Sequence, residues 1–294
     1  MTGRSPPRFQ FVQLDVPGRL GLDDGRYLVR AVASGQGSAD DETVVVVQTL
    51  GAAPRRRARR RRRPRRIEPG APPLEVPLTR FTVIPAQRSE AEAAARELER
   101  VARDAEAAEA RVADAVRTVN ALLRAHRIAC QDPYGHEIAR EGALVVRAGY
   151  GTGEGLAEGR WDAALEIPPS DRSRRVQALR PQERLAAVLA GREAINPYES
   201  LLLRARADLD GGRAREAAIQ LAAALEALLT EPTHRGDTDE QQDITSLESR
   251  REATATAANE AFRGELPDGR TQELEETLRI CERVLRRRRV LRRG

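Results

Sequence analysis

Residues 89–127 read SEAEAAARELERVARDAEAAEARVADAVRTVNALLRAHR, and this stretch decides how the rest of the chain divides. Ala91, Ala94, Leu98, Val101, Ala105, Ala108, Val112, Ala115, Val119 and Leu122 recur at alternating steps of three and four. That spacing lines one stripe of an α-helix, the a and d positions of a heptad coiled-coil pattern. The positions between are mostly Glu, Arg, Asp and Ala. Ser89 with Glu92 has the form of a capping box, in which each side chain satisfies a backbone amide of the first turn. A helix from about 89 to 127 would be roughly 58 Å long at about 1.5 Å per residue. Alanine in the seam allows close backbone approach but buries little area per residue. The helix therefore needs a partner, either the C-terminal helices of its own chain or a second copy of it.

On the N-terminal side, residues 1–86 read as a β-rich unit. Phe9, Phe11 and Leu14 have near-alternate spacing. Asp24-Gly25 is a turn signal before Tyr27–Val32. Thr43–Leu50 is β-branched, and Leu74–Ile84 is a fourth candidate strand, with Pro77 suited to an edge position. Between the third and fourth strands lies an arginine tract: Arg55, Arg56, Arg57, Arg59, Arg60, Arg61, Arg62, Arg63, Arg65 and Arg66. Like charges repel and Pro64 interrupts a helix, so residues 51–73 are expected to form a disordered loop within the β unit.

On the C-terminal side, residues 130–170 break the helical pattern. Asp132–Gly135 reads as a turn, Ala143–Arg147 as a short strand, and Gly149, Gly151, Gly153 and Gly155 as a glycine-rich insert ahead of Trp161–Ile167. Residues 171–294 read as helical hairpins. Pro181 suits the first turn of one helix, and Asn196-Pro197-Tyr198-Glu199 supplies a cap, an N1 proline and an N3 glutamate. Leu201–Leu209 and Glu216–Leu229 flank Gly211-Gly212. Here Gly212, Ala217, Leu221 and Ala224 have spacings that resemble one tetratricopeptide hairpin over about 34 residues; a single copy, where arrays need about three, implies a helical hairpin and no more. The polar stretch 231–243 reads as a mobile linker, 245–262 as an alanine-rich helix, and Thr271 as the cap of a last helix. The expected class is α+β and predominantly helical: a small β-rich N-terminal unit, a long Ala-rich heptad helix over 87–129, and C-terminal helical hairpins.

Charge is distributed unevenly. The 294 residues carry 50 basic and 45 acidic side chains, and every basic residue is arginine. A GC-rich coding sequence explains the choice of arginine over lysine but not its placement. Ten arginines lie in 55–66 and seven in 283–293, and removing both segments leaves 33 basic against 45 acidic residues, a formal charge of −12. The body of the protein is acidic and the high isoelectric point belongs to two segments. Cys130 and Cys281 are far apart, no apolar leader follows Met1, and no apolar run is long enough to span a bilayer. These features point to a cytoplasmic protein with reduced thiols and no transmembrane segment.

The arginine tract is the first candidate site. Guanidinium groups pair bidentately with phosphates and carboxylates and release counterions from nucleic acid. The tract contains no aromatic residue to stack on bases, so base-specific reading is not expected. The terminal arginines could extend this surface on an amphipathic helix, or simply match its negative dipole end. The glycines at 149, 151, 153 and 155 form the second candidate, a phosphate loop after a strand. The stretch lacks Gly-x-Gly-x-x-Gly in every register, and no lysine follows; alternating glycines equally suit a hairpin or a close crossing. His126, Cys130 and His136 lie near one another, but their spacing matches no standard zinc finger and a fourth ligand is unidentified. No metal or cofactor is implied, and no nucleophile–base–orienter set emerges. The expected function is a non-enzymatic interaction or scaffold protein, with weakly selective polyanion binding, nucleic acid foremost, through the arginine tract. Two alternatives are an enzyme binding a small molecule or phosphate within 130–167, and a structural homo-oligomer formed through the helix at 89–127.

Overall fold

A computed structural model describes residues 6–30, 42–51, 70, 75–153, 155–168, 181–232 and 238–291, with side chains through 288. The arginine tract and most of the expected loop 51–73 lie outside the described residues. The chain divides into two compact units, residues 1–172 and 173–294. Mixed α+β character is borne out. No helix among the described residues is long and apolar enough to cross a membrane.

The first unit is one antiparallel sheet with helices on one face. Its elements are β1 (Arg8–Pro17), β2 (Gly25–Arg30), β3 (Glu42–Leu50), β4 (Leu78–Pro85), β5 (Arg88–Ser89), α1 (Ala91–Arg103), α2 (Ala105–Ala129), a short 3₁₀ turn (Arg140–Gly142), β6 (Val145–Gly151) and β7 (Ala163–Glu166). The strand order is β2-β3-β4-β1-β6-β7, and β5 pairs with the start of β1. The glycine-rich segment is therefore part of the N-terminal sheet. β6 lies beside β1 from Phe9↔Gly151 to Asp15↔Val145. Only tertiary pairing joins these stretches, so sequence periodicity gave no sign of it.

Strand alternation sorts the side chains of this sheet onto two faces. Val12, Leu14, Val16, Val45, Val47, Phe81, Val83, Val146 and Ala148 point to the helices and form one core with them. Phe9, Phe11, Gln13 and Asp15 of β1 point the other way. Four consecutive valines, Val44–Val47, occupy both parities of β3, the pattern of a strand covered on both faces.

The heptad pattern is carried by two helices and meets the sheet. α1 ends at Asp104, whose backbone is extended (φ −115°, ψ 106°) and whose carboxylate accepts from the amides of Glu106 (2.9 Å) and Ala107 (3.2 Å). Aspartate is a strong N-cap because its side chain satisfies amides that lack a helical acceptor; the seam residues continue in register on either side, so periodicity alone hides the interruption. Ala94, Val101, Ala108, Val112, Ala115 and Val119 are buried, and apart from Ala94 they belong to the core shared with the sheet. The buried stripe of both helices packs on the chain's own β-strands. Ser89 does not cap α1; it belongs to β5, and Glu90 precedes the helix without a side-chain cap.

The second unit is helical: α3 (Pro181–Leu189), α4 (Pro197–Asp210), α5 (Ala214–Leu229), α6 (Thr238–Ala261) and α7 (Asp268–Leu291). The Glu199 carboxylate accepts from the Asn196 amide at 3.2 Å, and Pro197 occupies the first turn of α4. Gly212, at φ +71°, takes the left-handed conformation that turns α4 into α5. Leu202, Leu221, Leu225, Leu228, Leu247, Leu274 and Leu278 fill the core. The polar stretch 231–243, read as a mobile linker, includes the start of a helix. α6 begins at Thr238, and Glu240 and Asp243 are buried in ion pairs with Arg288 and Arg283. Polar composition here reflects internal pairing, which a sequence does not distinguish from solvation.

Candidate functional site

The ends of the segment that carries the arginine tract are fixed. Leu50 and Leu78 are register partners at the last rung of the β3–β4 ladder. Beside them Gly18 donates to the Pro77 carbonyl at 2.7 Å, and Thr79 Oγ1 donates to the Gly18 carbonyl at 2.7 Å. The chain positions just before Gly51 and just after Pro77 thus lie side by side.

Arginines of the described body are largely engaged with carboxylates of the same chain. Arg80 donates bidentately to Asp15 (2.7 and 2.8 Å) on the sheet face away from the helices. This bond holds the Arg80 guanidinium above its ordinary range. Arg147 reaches both Asp15 (3.4 Å) and Gln13 (3.3 Å), and Gln13 donates to Thr82 at 3.1 Å. In the second unit Arg184 bridges Glu193 and Glu199, and Arg206 pairs with Glu282. Where it is described, the terminal cluster is largely paired with carboxylates of the same unit. Arg283 binds Asp243, Arg287 binds Asp239, and the buried Arg288 binds Glu240 (2.7 Å) and Glu231 (2.9 Å). Glu231 in turn accepts from the Tyr198 hydroxyl at 2.6 Å. Arg286 is exposed.

The four glycines have packing partners. Gly149 and Gly151 lie within β6. A Cβ on Gly149 would lie 2.8 Å from the Phe11 ring and closer still to the Ala163 carbonyl; one on Gly151 would lie 2.8 Å from Leu156. Gly153 and Gly155 follow in the loop with positive φ, the first against the Phe9 ring and the second against the Arg160 guanidinium. The loop leads into β7, a strand, whereas a phosphate loop leads into a helix whose free amides hold the anion.

This loop walls a cleft of ≈ 300 Å³ on the sheet face opposite the helices. Phe9, Val44, Val46 and Ile84, from three adjacent strands, line it together with Thr152, Gly153, Leu156 and Ala157; among the described residues Arg26 and Glu158 are its charged ones. The wall is pinned from behind. Trp161 Nε1 donates to the Leu156 carbonyl at 2.8 Å, its ring lies 5.3 Å from that of Phe11, and Arg8 is paired with Asp162. Sequence reasoning missed the strand residues of this cleft; the doubly apolar Val44–Val47 run was the available signal. A second cleft, ≈ 520 Å³, lies beside the interruption at Asp104, between Val101, Ala105 and Ala108 and the Leu165–Pro168 edge.

Of the histidines and cysteines, the structure brings His126 and Cys130 together at the C-terminal end of α2, with Nε2 and Sγ 3.4 Å apart. Among the described residues no group of three or more metal-capable side chains occurs. Cys281 is fully buried, and burial pushes its thiol up to about 12, so it is inert as a nucleophile. Comparison of the chain with protein-family models, with curated proteins and with solved structures gives no match.

Proposed function

We propose that this chain is a non-enzymatic interaction protein that binds polyanions, nucleic acid foremost, with weak selectivity through Arg55–Arg66. The observation that carries this reading is a contrast between the two populations of arginine. Body arginines such as Arg80, Arg206, Arg283 and Arg288 already hold carboxylates of their own chain. The tract places ten guanidinium groups in twelve residues with no acid among them, and the rest of the chain is acidic once the two basic segments are set aside. Both ends of the segment are held by a hydrogen-bonded strand pair, so the charge has a fixed point of attachment.

Filter binding with random-sequence RNA and DNA at two salt concentrations tests the proposal. If all ten arginines engage single-stranded nucleic acid, log affinity falls with log salt at a slope of roughly −7. Without stacking residues, RNA and DNA of mixed sequence should bind about equally. Replacing 55–66 by a Gly-Ser linker should abolish binding, while the Leu50–Leu78 rung keeps the sheet paired. Undiminished affinity in that variant would end the proposal.

A further inference from the structure

The sheet face away from the helices carries one site that neither the arginine tract nor the glycine stretch accounts for. We propose that the cleft over Phe9, Val44, Val46 and Ile84 binds a small amphipathic carboxylate, its apolar body on the sheet and its carboxylate at Arg26. Three observations lead there. First, the cleft's size, ≈ 300 Å³, falls at the lower end of the range for small-molecule sites, about 300–1,000 Å³, and its lining is almost wholly apolar with few polar groups, as such sites are. Its wall is held in place by Trp161, Asp162 and the tight glycine packing, so little ordering would accompany binding.

Second, strand register puts Arg26, Arg30, Arg80 and Arg147 on this same face. Arg30 holds Glu42, while Arg80 and Arg147 hold Asp15. Among the described residues Arg26 makes no ion pair, and among them it is the one cation lining the cleft. Third, the charges give the ligand a direction. Glu158 stands on the loop wall, where it repels an anionic head, so the head is left to the β2 side at Arg26 and the tail runs toward Gly153 and Leu156. An unbranched alkyl carboxylate of medium length has this chemistry; a phosphate ester with a large polar body does not suit so apolar a lining.

Trp161, the only tryptophan of the chain, reports on the site, because its indole is bonded to Leu156 and Leu156 lines the cleft. The test is a fluorescence titration of the full chain with decanoate, decanol and decylamine. Decanoate should give a saturable change, the alcohol and the amine should bind at least tenfold more weakly, and Arg26→Gln should weaken decanoate about tenfold or more. Val44→Phe, which fills the cleft with a residue β-strands favour, should remove binding while far-UV circular dichroism stays unchanged. The variant with 55–66 replaced should bind decanoate as the parent does. The proposal is overturned by the absence of saturable binding, by equal affinity for the alcohol or amine, by an unaltered Arg26→Gln, or by binding that disappears with the arginine tract.

Discussion

Gly149 is the residue at which two sequence readings part. Read as a phosphate-loop glycine, it would contribute to binding and little to stability. In the structure it lies mid-strand beneath the Phe11 ring and against the Ala163 carbonyl, with no room for a Cβ. Gly149→Ala should therefore destabilise the first unit by about 1–3 kcal/mol, the usual effect of forcing an extra carbon into a filled space. Urea denaturation followed by Trp161 fluorescence measures this; an unchanged midpoint would contradict the packing role. The residue's glycine identity was legible in the sequence, but its cause was not, because Phe11 and Ala163 are neighbours only through strand pairing.

At the scale of elements, the stretch 89–127 teaches what periodicity does and does not fix. Most of the buried stripe from Ala94 to Val119 was legible, Ala105 at the start of α2 being exposed instead, and so were most strand positions before it. The interruption was not, since a cap residue inside an alanine-rich run leaves the three-four spacing intact. Asp104 joins the two helices, its amide donating to the Arg100 carbonyl of α1 and its carboxylate capping α2, and a second tie crosses the gap: Glu97 of α1 accepts from Arg100 at 2.7 and 3.0 Å and lies 3.6 Å from Arg111 of α2. The Arg100 hydrogen bond holds the Glu97 carboxyl below its ordinary range. Asp104→Ala should cost about 1 kcal/mol by leaving two amides of α2 without an acceptor, and Asp104→Asn should recover most of it. Thermal unfolding compares the three proteins. A gain in helicity or stability in the alanine variant would mean that the sequence prefers one continuous helix and that the cap is incidental.

Over the whole molecule, charge placement was legible from composition while charge pairing was not. The terminal arginines and the polar stretch 231–243, read separately as a cationic end and a linker, meet in the second unit. There Asn196, Tyr198, Glu231, Glu240 and Arg288 join the ends of α4, α5, α6 and α7 in one network. Burial, and then the hydrogen bond to Glu231, raise the Tyr198 phenol above its ordinary value. Folded Tyr198 thus keeps its proton to higher pH than unfolded tyrosine, so the stability it provides is whole below about pH 10 and is lost as pH rises through the folded value. Tyr198→Phe should be less stable than the parent by about 1.5–3 kcal/mol at neutral pH, the range for a hydrogen bond to a charged group. The gap should close above about pH 10. Equilibrium unfolding of both proteins across that range decides it; a gap independent of pH would remove the tyrosine from the network's titration.

The closed rung at Leu50 and Leu78 has an evolutionary consequence. Lengthening a connection between fixed ends is thermodynamically cheap: each doubling adds only about 0.6 kcal/mol of closure entropy. Codon slippage within a repetitive arginine run would thus change the number of arginines between the two strands while the strands kept their pairing. Orthologues could differ widely in the length of this segment and still share one sheet.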